Sequence, residues 1–231
     1  MALMKKVAIF DIDGTIFRSS LLIEITEALI QEGIFPEKAE KIYSGAFKNW
    51  LDRKGSYDEY IHGVIDAFEK YIVGIKESDF SRIAKRVVAF HKNRVYRFTR
   101  DLVAELHEKN YYIIAISNSP KETVDEFCKT MGFDRSYGRI YATDKNGKLN
   151  GETLHLELMR DKAKLLKFIA KEHGFSLKGS VGVGDSEADI PFLKLVDRPI
   201  CFNPNSKLYA HARRAGWEIV VERKDVVYHL Q

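Results

Sequence analysis

The sequence of 231 residues has no apolar run long enough to span a bilayer, no cysteine pair with metal-ligand spacing, and no repeat or low-complexity stretch. Cys128 and Cys201 fall in different predicted elements, so we expect two free thiols in a reducing compartment. Near the N-terminus only residues 7–10 are continuously apolar, which is too short for the apolar region of a signal peptide. The sequence therefore predicts a cytoplasmic protein with no membrane partner.

The balance of residue types is that of an ordinary globular protein. Apolar residues make up 45% of the chain and charged residues 30%. The net charge of +4 is mild and does not argue for nucleic acid as a partner. The length allows one large α/β domain, or a core domain with a smaller inserted one.

The N-terminal part of the chain combines one predicted strand with a run of predicted helices. Residues 5–10 are apolar and β-branched, and they indicate a short buried strand. Between residues 21 and 94 we predict no strand. Helical spacing, with Pro36 suited to a first turn and Ser56 and Ser78 suited to N-caps, predicts four helices instead: 21–31, 36–50, 56–71 and 78–94. We expect these helices to form an inserted bundle.

From residue 99 onward, predicted helices and strands alternate. The predicted helices are 99–109, 119–131, 161–173, 186–195 and 206–215, and the predicted strands are 112–116, 140–143, 149–153, 180–183, 199–202 and 218–221. Asn146-Gly147 predicts a hairpin turn between the second and third of these strands. Such alternation is typical of βαβ units, so the predicted fold class is α/β, with a Rossmann-like, mostly parallel sheet and an inserted helical bundle. The predicted core domain is 1–18 and 96–231, and the predicted inserted helical domain is 19–95.

The most reactive side chains follow three of the predicted strands. Asp11 and Asp13 follow the first strand, Ser117 follows the strand 112–116, and Asp185 follows the strand 180–183. Ligands of open parallel sheets bind beyond the carboxyl ends of the strands. We therefore expect these side chains to meet at one edge of the sheet.

This combination of residue types suits phosphoryl transfer. Mg²⁺ binds through one or two carboxylates plus substrate phosphate, and Asp11 and Asp185 could supply the carboxylates. A carboxylate can also be the nucleophile and form an aspartyl-phosphate. Lys162 begins a predicted helix near these strands, and a lysine offsets charge on the transferring oxygens. Ser117 and the amides around Asn118 offer further hydrogen-bond donors.

Four motifs, in this order along the chain, resemble those of the haloacid dehalogenase superfamily of phosphohydrolases. They are Asp11-Ile12-Asp13-Gly14-Thr15, Ser117, Lys162 and Gly184-Asp185-Ser186-Glu187-Ala188-Asp189. The resemblance covers nearly the whole chain, because the helical insert lies where this superfamily has a cap. The C-terminal part is similar to the phosphoserine-phosphatase-like branch of the superfamily.

The resemblance implies a Mg²⁺-dependent phosphatase that acts on a small phosphorylated metabolite. Asp11 would be the nucleophile. Asp13 would bind Mg²⁺ through its backbone carbonyl, and its side chain would act as general acid and base. Asp189 would orient the waters of the metal or Lys162. The implied phosphate-binding set is Gly14, Thr15, Ser117, Asn118 and Lys162, and the implied metal set is Asp11, Asp13, Asp185 and Asp189.

The sequence leaves several alternatives open. The same aspartyl-phosphate could be passed to a second alcohol, which would make the protein a phosphotransferase. A basic stretch without acids could instead belong to a non-catalytic binder of nucleic acid or anionic lipid: Arg82, Lys85, Arg86 and Arg97. Lys164 competes with Lys162 for the lysine position of the third motif. The oligomeric state cannot be read from the sequence.

Two departures from the family pattern bear on the substrate. The phosphoserine enzymes carry a glutamate shortly after the first motif, whereas Ser19 and Ser20 stand there in this chain. Those enzymes also usually have serine at the position of Gly14. Both departures argue against phosphoserine as the substrate. A set of aromatic residues in the insert is interpreted as cap core rather than as a ring-binding pocket: Phe47, Trp50, Tyr57, Tyr60 and Phe68.

Overall fold

The structure, a computed structural model, describes residues 6–230 and is built around a single eight-stranded sheet. The strands are β1 (Val7–Phe10), β2 (Tyr112–Pro120), β3 (Arg135–Thr143), β4 (Leu149–Leu154), β5 (Val181–Gly184), β6 (Arg198–Phe202), β7 (Glu218–Arg223) and β8 (Val226–Leu230). Their order is β4-β3-β2-β1-β5-β6-β7-β8, and all neighbouring pairs are parallel except β3–β4 and β7–β8 at the two edges. The predicted α/β class with a mostly parallel sheet is confirmed.

Helices cover the sheet and fill the segment after β1. They are α1 (Leu21–Gln31), α2 (Ser44–Leu51), α3 (Tyr57–Tyr71), α4 (Glu77–His91), α5 (Arg97–Glu108), α6 (Lys121–Met131), α7 (Leu156–Arg160), α8 (Lys162–His173), α9 (Ile190–Leu193) and α10 (Ser206–Ala215). Two 3-10 turns, Glu37–Ile42 and Glu187–Asp189, precede α2 and α9. Within residues 6–230, no helix combines the length and the apolar character that crossing a membrane requires.

The central position of β1 brings three strand ends together. Each residue of β1 is at most 1% exposed, because β2 and β5 flank the strand and apolar clusters cover both faces of the sheet. Phe10 lies opposite Ala115 of β2 and Val183 of β5. The residues that follow these three positions are therefore side by side at the carboxyl edge of the sheet, where open α/β sheets bind their ligands.

The helices α1 to α4 share an apolar cluster of their own, distinct from the clusters on the two faces of the sheet. Tyr141 of β3 and Leu149 of β4 are buried in this cluster as well. Leu149 also exchanges backbone hydrogen bonds with the chain before α4, donating to the Ile75 carbonyl and accepting from the Gly74 amide, each at 2.8 Å. The β3–β4 hairpin thus ties the helical segment to the sheet. The division into a catalytic core and a cap at residues 19–95 stays a prediction.

Several predicted boundaries need correction. The predicted helix 36–50 is a 3-10 turn followed by α2. Ser56 caps α3 as predicted, since its hydroxyl accepts from the Glu59 amide at 3.1 Å. Ser78 is not an N-cap, because α4 begins one residue earlier and Lys76 holds the cap position. The sequence analysis missed α7, the first half of β3, and β8, a half-exposed edge strand with little burial pattern. Lys5 of the first predicted strand lies outside the described residues.

Candidate active site

The chain after β1 places two carboxylates at the end of the central strand. The Asp11 amide donates to the Val183 carbonyl at 2.9 Å, so Asp11 extends the pairing of β1 with β5 by one residue. The Asp11 side chain is buried, and the Thr15 hydroxyl donates to its Oδ2 at 3.1 Å. The loop therefore fixes Asp11 from its own backbone and from a neighbouring hydroxyl.

Lys162 is the lysine that reaches the site. Its helix α8 starts at this residue because the Asp161 carboxylate caps it, accepting from two amides of the first turn at 3.0 Å. Lys162 Nζ donates to Asp11 Oδ1 and to Asp189 Oδ1, both at 2.6 Å, and its side chain is only 4% exposed. Lys164, the alternative, has a 70% exposed side chain beside Asp161. The geometry therefore distinguishes two lysines that sequence spacing alone could not.

Asp13 is held on the opposite side of the strand end, against β2 and α1. Its Oδ2 accepts from the hydroxyls of Ser117 at 2.6 Å and Ser119 at 2.9 Å. Its Oδ1 accepts from the Leu21 amide, the first of α1, at 2.5 Å. Ser119 was missed by the sequence analysis because the strand was predicted to end at residue 116. Asp13 is thus oriented by three donors from two elements.

Three carboxylates converge where β1, β5 and the following 3-10 turn meet. Asp11, Asp185 and Asp189 each have an oxygen within 4.8 Å of the other two. Burial raises the pKa of Asp11 to about 7 against the opposing charge of Lys162, and neighbouring carboxylates add to the rise. Burial, followed by the charges of Asp11 and Asp189, raises the pKa of Asp185 well above its ordinary value. A cation among these groups would favour their ionised forms.

The hydrogen bonds divide these carboxylates into two kinds. Asp189 Oδ1 accepts from Lys162, and its Oδ2 accepts from the amides of Asp185 and Ser186 at 3.0 and 3.1 Å. The Asp185 carboxylate has no hydrogen-bond partner among residues 6–230. Burial alone would lower the pKa of Lys162, but Asp11 and Asp189 raise it above its ordinary value. Asp189 is therefore committed to the lysine and the loop, and Asp11 also accepts on both oxygens, from Lys162 and Thr15. The Asp185 carboxylate is open to a cation, and an Asp11 oxygen within 4.8 Å of it would share Mg²⁺, a hard cation that takes oxygen ligands.

The other predicted phosphate-binding residues differ in their exposure. Gly14 and Asn118 line the cavity above the carboxylates. Thr15 and Ser117 are fully buried and donate to Asp11 and Asp13. In this arrangement both hydroxyls orient the carboxylates, and Ser117 would have to leave Asp13 to contact a phosphoryl group directly.

The carboxylates lie at the base of a cavity of about 890 Å³ between the sheet edge and the helices α1 to α3. Its walls include residues that the sequence analysis did not single out as site residues: Arg18, Glu24, Glu27, Arg94, Arg139 and Asn205. These residues come from four separate parts of the chain, at 18–27, 94, 139 and 205, and follow no motif, so only the folded chain reveals that they share a cavity.

The interpretation of the aromatic residues as cap core is confirmed for Phe68 and Tyr60, which are buried in the helical cluster, but not for Phe47 and Tyr57, which are 36% and 40% exposed. Phe68 is fully buried in the helical cluster, as interpreted. The other four line the cavity: Phe47, Trp50, Tyr57 and Tyr60. They form one connected wall, in which the rings of Trp50 and Tyr60 stack with centroids 5.7 Å apart and planes 17° apart. Helical spacing predicts a shared face, but it does not say whether that face meets protein or a cavity.

The four cations singled out in the basic stretch do not line the cavity, whereas Arg94 of the same stretch does. Arg82 and Arg86 lie 3.9 and 2.7 Å from the Glu32 carboxylate, and the Arg97 side chain donates to the Asp225 carbonyl at 3.0 Å. Lys85, on α4 with Arg82 and Arg86, is exposed. These cations face solvent and surface partners, not the candidate active site.

Comparison with known proteins adds a family and a fold. The sequence model of the haloacid dehalogenase-like hydrolases matches residues 8–194. A phosphoserine phosphatase of Methanocaldococcus jannaschii is 24% identical over 96% of this chain and 94% of its own length. A histidinol-phosphatase of Neisseria meningitidis serogroup C is 24% identical over 94% of this chain and 99% of its own length.

The solved structures agree with the observed fold. A protein of unknown function from Bordetella pertussis Tohama I superposes with a TM-score of 0.73 at 15% identity, covering 94% of this chain and 98% of its own. At this identity the likeness concerns the fold alone. It extends over the sheet and the helical insert, since the coverage is nearly complete on both sides.

Proposed function

This chain belongs to the haloacid dehalogenase-like hydrolases, and from that membership we propose that it is a Mg²⁺-dependent phosphatase of a small phosphate monoester, with Asp11 as its nucleophile. One observation carries the proposal. Lys162 bridges Asp11 and Asp189 at 2.6 Å at the base of a cavity, beside the carboxylate of Asp185, which accepts no hydrogen bond from the described residues 6–230. The phosphoserine and histidinol phosphatases among the relatives support a small phosphorylated metabolite as substrate.

Asp11 is oriented for attack on phosphorus. Its two oxygens are held by Lys162 and by the Thr15 hydroxyl, so the carboxylate does not have to be ordered when the substrate binds. An Asp11 oxygen forms the new bond to phosphorus while the bond to the leaving alcohol oxygen breaks, which gives an aspartyl-phosphate. The Lys162 ammonium, which donates to Asp11 Oδ1, offsets negative charge on the transferring phosphoryl group.

Asp13 moves the protons. In its protonated form it gives a proton to the leaving alcohol oxygen, and as a carboxylate it then takes a proton from the water that attacks the aspartyl-phosphate. That second attack releases inorganic phosphate and restores Asp11. The three donors from Ser117, Ser119 and the Leu21 amide hold Asp13 in one orientation for both steps.

The donor set fits a magnesium ion. Asp11 and Asp185 would hold it, together with the Asp13 backbone carbonyl, and Asp189 would keep Lys162 in place. When bound, Mg²⁺ supplies positive charge that offsets the phosphoryl oxygens. The cap at residues 19–95 would close the cavity, exclude bulk water and select the leaving group.

The test is phosphate release from p-nitrophenyl phosphate and a panel of metabolite monoesters, with Mg²⁺ or with EDTA. The proteins are wild type, Asp11→Asn and the matched control Asp66→Asn, an exposed aspartate of α3. We expect release by wild type and Asp66→Asn with Mg²⁺ only, and a loss of at least about 10³-fold in Asp11→Asn. Full activity of Asp11→Asn would refute the proposal. Phosphoester formation from an added alcohol, in place of free phosphate, would instead establish the phosphotransferase.

A further inference from the structure

Glu27 is a half-buried carboxylate on the cavity wall with no hydrogen-bond or ion-pair partner among residues 6–230. It lies on α1, whose first amide holds Asp13. Burial, followed by the charges of Glu24 and Glu40, raises the pKa of Glu27. Burying a carboxylate without a partner costs free energy, and residues that break this rule are found mainly at functional sites.

The neighbouring acid of the same helix is already paired. Glu24 Oε1 accepts from Arg94 at 2.7 Å, and Glu24 Oε2 lies 3.1 Å from His91 Nε2. Glu24 therefore has a guanidinium partner from the loop after α4 and an imidazole partner from the end of α4, whereas Glu27, one turn further along α1, has no such partner among residues 6–230. Of the two α1 carboxylates in the cavity, only Glu27 is available to a ligand.

The surroundings of Glu27 suit a cation that is attached to an apolar group. Its charge contributes to the raised pKa of Tyr60, after burial. Tyr60 stacks on Trp50, and Trp50 contacts Tyr57 with ring centroids 5.5 Å apart. Glu27, these aromatic residues and the catalytic carboxylates all line the same cavity, so a ligand bound at the carboxylates also meets the aromatic wall. Aromatic faces attract both flat apolar groups and cations.

The distance along α1 sets the length of the leaving group. Leu21, which holds Asp13, and Glu27 are six residues apart, which corresponds to about 9 Å along the helix axis. Serine is too short to reach from a phosphate at Asp11 to a carboxylate one to two helical turns away. A leaving group with a ring between the phosphate and the nitrogen has the required length.

We propose that the substrate is a phosphate monoester whose alcohol part carries a cationic nitrogen beyond a flat apolar body, with Glu27 binding the cation and Tyr57, Trp50 and Tyr60 contacting the body. This inference rests on the proposed phosphatase function and names the substrate class of that site. Glu27 is the specificity-determining residue in this assignment, and it takes no part in the chemistry at phosphorus.

The test compares two probes that differ in charge alone. O-phosphotyramine has a phenyl ring and a terminal ammonium, and 4-propylphenyl phosphate replaces the ammonium with a methyl group. Phosphate release is measured with Mg²⁺ for wild type, Glu27→Gln and the control Glu37→Gln, an exposed acid outside the cavity. We expect Glu27→Gln to raise KM for phosphotyramine about tenfold or more, with kcat nearly unchanged and little effect on the neutral probe. Glu37→Gln should behave as wild type.

Binding to the Asp11→Asn protein separates this inference from the proposed function. Calorimetric titration of both probes into Asp11→Asn, with and without Glu27→Gln, measures recognition without turnover. Tighter binding of phosphotyramine that is lost with Glu27→Gln would support the inference even if no probe were hydrolysed. Equal binding of the two probes, an equal effect of Glu27→Gln on both, or no binding of either would overturn it, whatever the outcome for phosphate release.

Discussion

A Cβ atom built on Gly14 would lie 2.2 Å from Asp185 Oδ2. The loop after β1 and the loop after β5 therefore approach each other so closely at the candidate metal site that only hydrogen fits between them. Gly14 also has a φ of +80°, which disfavours residues with a side chain. Two physical causes therefore favour glycine at this position of the first motif: its positive φ and the close approach of the Asp185 carboxylate.

Gly14→Ala is expected to displace the Asp185 carboxylate and to weaken Mg²⁺ binding. The control is Gly33→Ala, where φ is +67° but no atom lies within 4 Å of the added Cβ. Both variants should lose about 1 kcal/mol of stability from the positive φ, because both replace glycine in that region. Only Gly14→Ala should also lose Mg²⁺-dependent activity, measured as phosphate release against Mg²⁺ concentration. An unchanged Mg²⁺ requirement would show that Asp185 does not depend on this contact.

Asp185→Asn is expected to affect the metal-free and metal-bound proteins in opposite directions. Without Mg²⁺, removing one of three crowded carboxylates relieves repulsion. The free energy of unfolding in EDTA should therefore rise by about 1 kcal/mol, and the midpoint of thermal unfolding should rise with it. With Mg²⁺, the wild type gains stability from binding and the variant should not. Differential scanning fluorimetry across Mg²⁺ concentrations measures both effects. An unfolding midpoint that rises equally with Mg²⁺ in both proteins would contradict the assignment of Asp185 as a ligand.

The sequence predicted the chemistry at the strand ends because that chemistry is local. Asp11, Asp13 and Asp185 each follow a strand whose apolar run is short and unambiguous, and parallel pairing then brings them together. The fold class follows from the same alternation of strands and helices. Ser119 was missed for an equally local reason, since β2 continues through Pro120, whereas the sequence analysis ended the strand at residue 116 and began a helix at residue 119.

The cavity could not be predicted in the same way. Glu27, Trp50 and Arg139 come from separate elements, and their meeting depends on how the helices pack on the sheet edge. Periodicity indicates that Trp50 and Tyr60 lie on buried helix faces, but the same pattern would arise if protein filled the space. Tertiary packing decides whether such a face becomes core or cavity wall, and the spacing of apolar residues along the sequence is the same in both cases.

The raised pKa of Asp11 predicts a specific dependence of stability on pH in the metal-free protein. The folded-state pKa of about 7 exceeds the ordinary value of 3.8, so between these values the folded protein holds more protons than the unfolded chain. The stabilisation from this group is complete below about pH 4 and is lost as the pH rises through about 7. Urea unfolding in EDTA should show wild type losing about 2 kcal/mol more than Asp11→Asn between pH 5 and pH 8. If the free energies of unfolding of wild type and Asp11→Asn changed equally with pH, the raised pKa of Asp11 would be contradicted.

Lys162→Met is expected to destabilise the protein severely. The variant keeps the volume of the side chain but leaves Asp11 and Asp189, whose side chains are 7% and 0% exposed, without their shared cation. Removing one partner of a buried ion pair typically costs about 3 to 5 kcal/mol. Lys164→Met is the matched control, because that side chain is 70% exposed on the same helix turn and should cost less than about 0.5 kcal/mol.

A second substitution tests the electrostatic cause of that loss. If unpaired charge is responsible, adding Asp189→Asn to Lys162→Met should recover part of the lost stability, although Asp189→Asn alone should be destabilising because Asp189 holds Lys162 and two loop amides. Urea unfolding of the four proteins gives the coupling energy directly. If the losses of the two single variants simply add in the double variant, Lys162 stabilises the fold through packing. Its charge would then not stabilise the fold through Asp189.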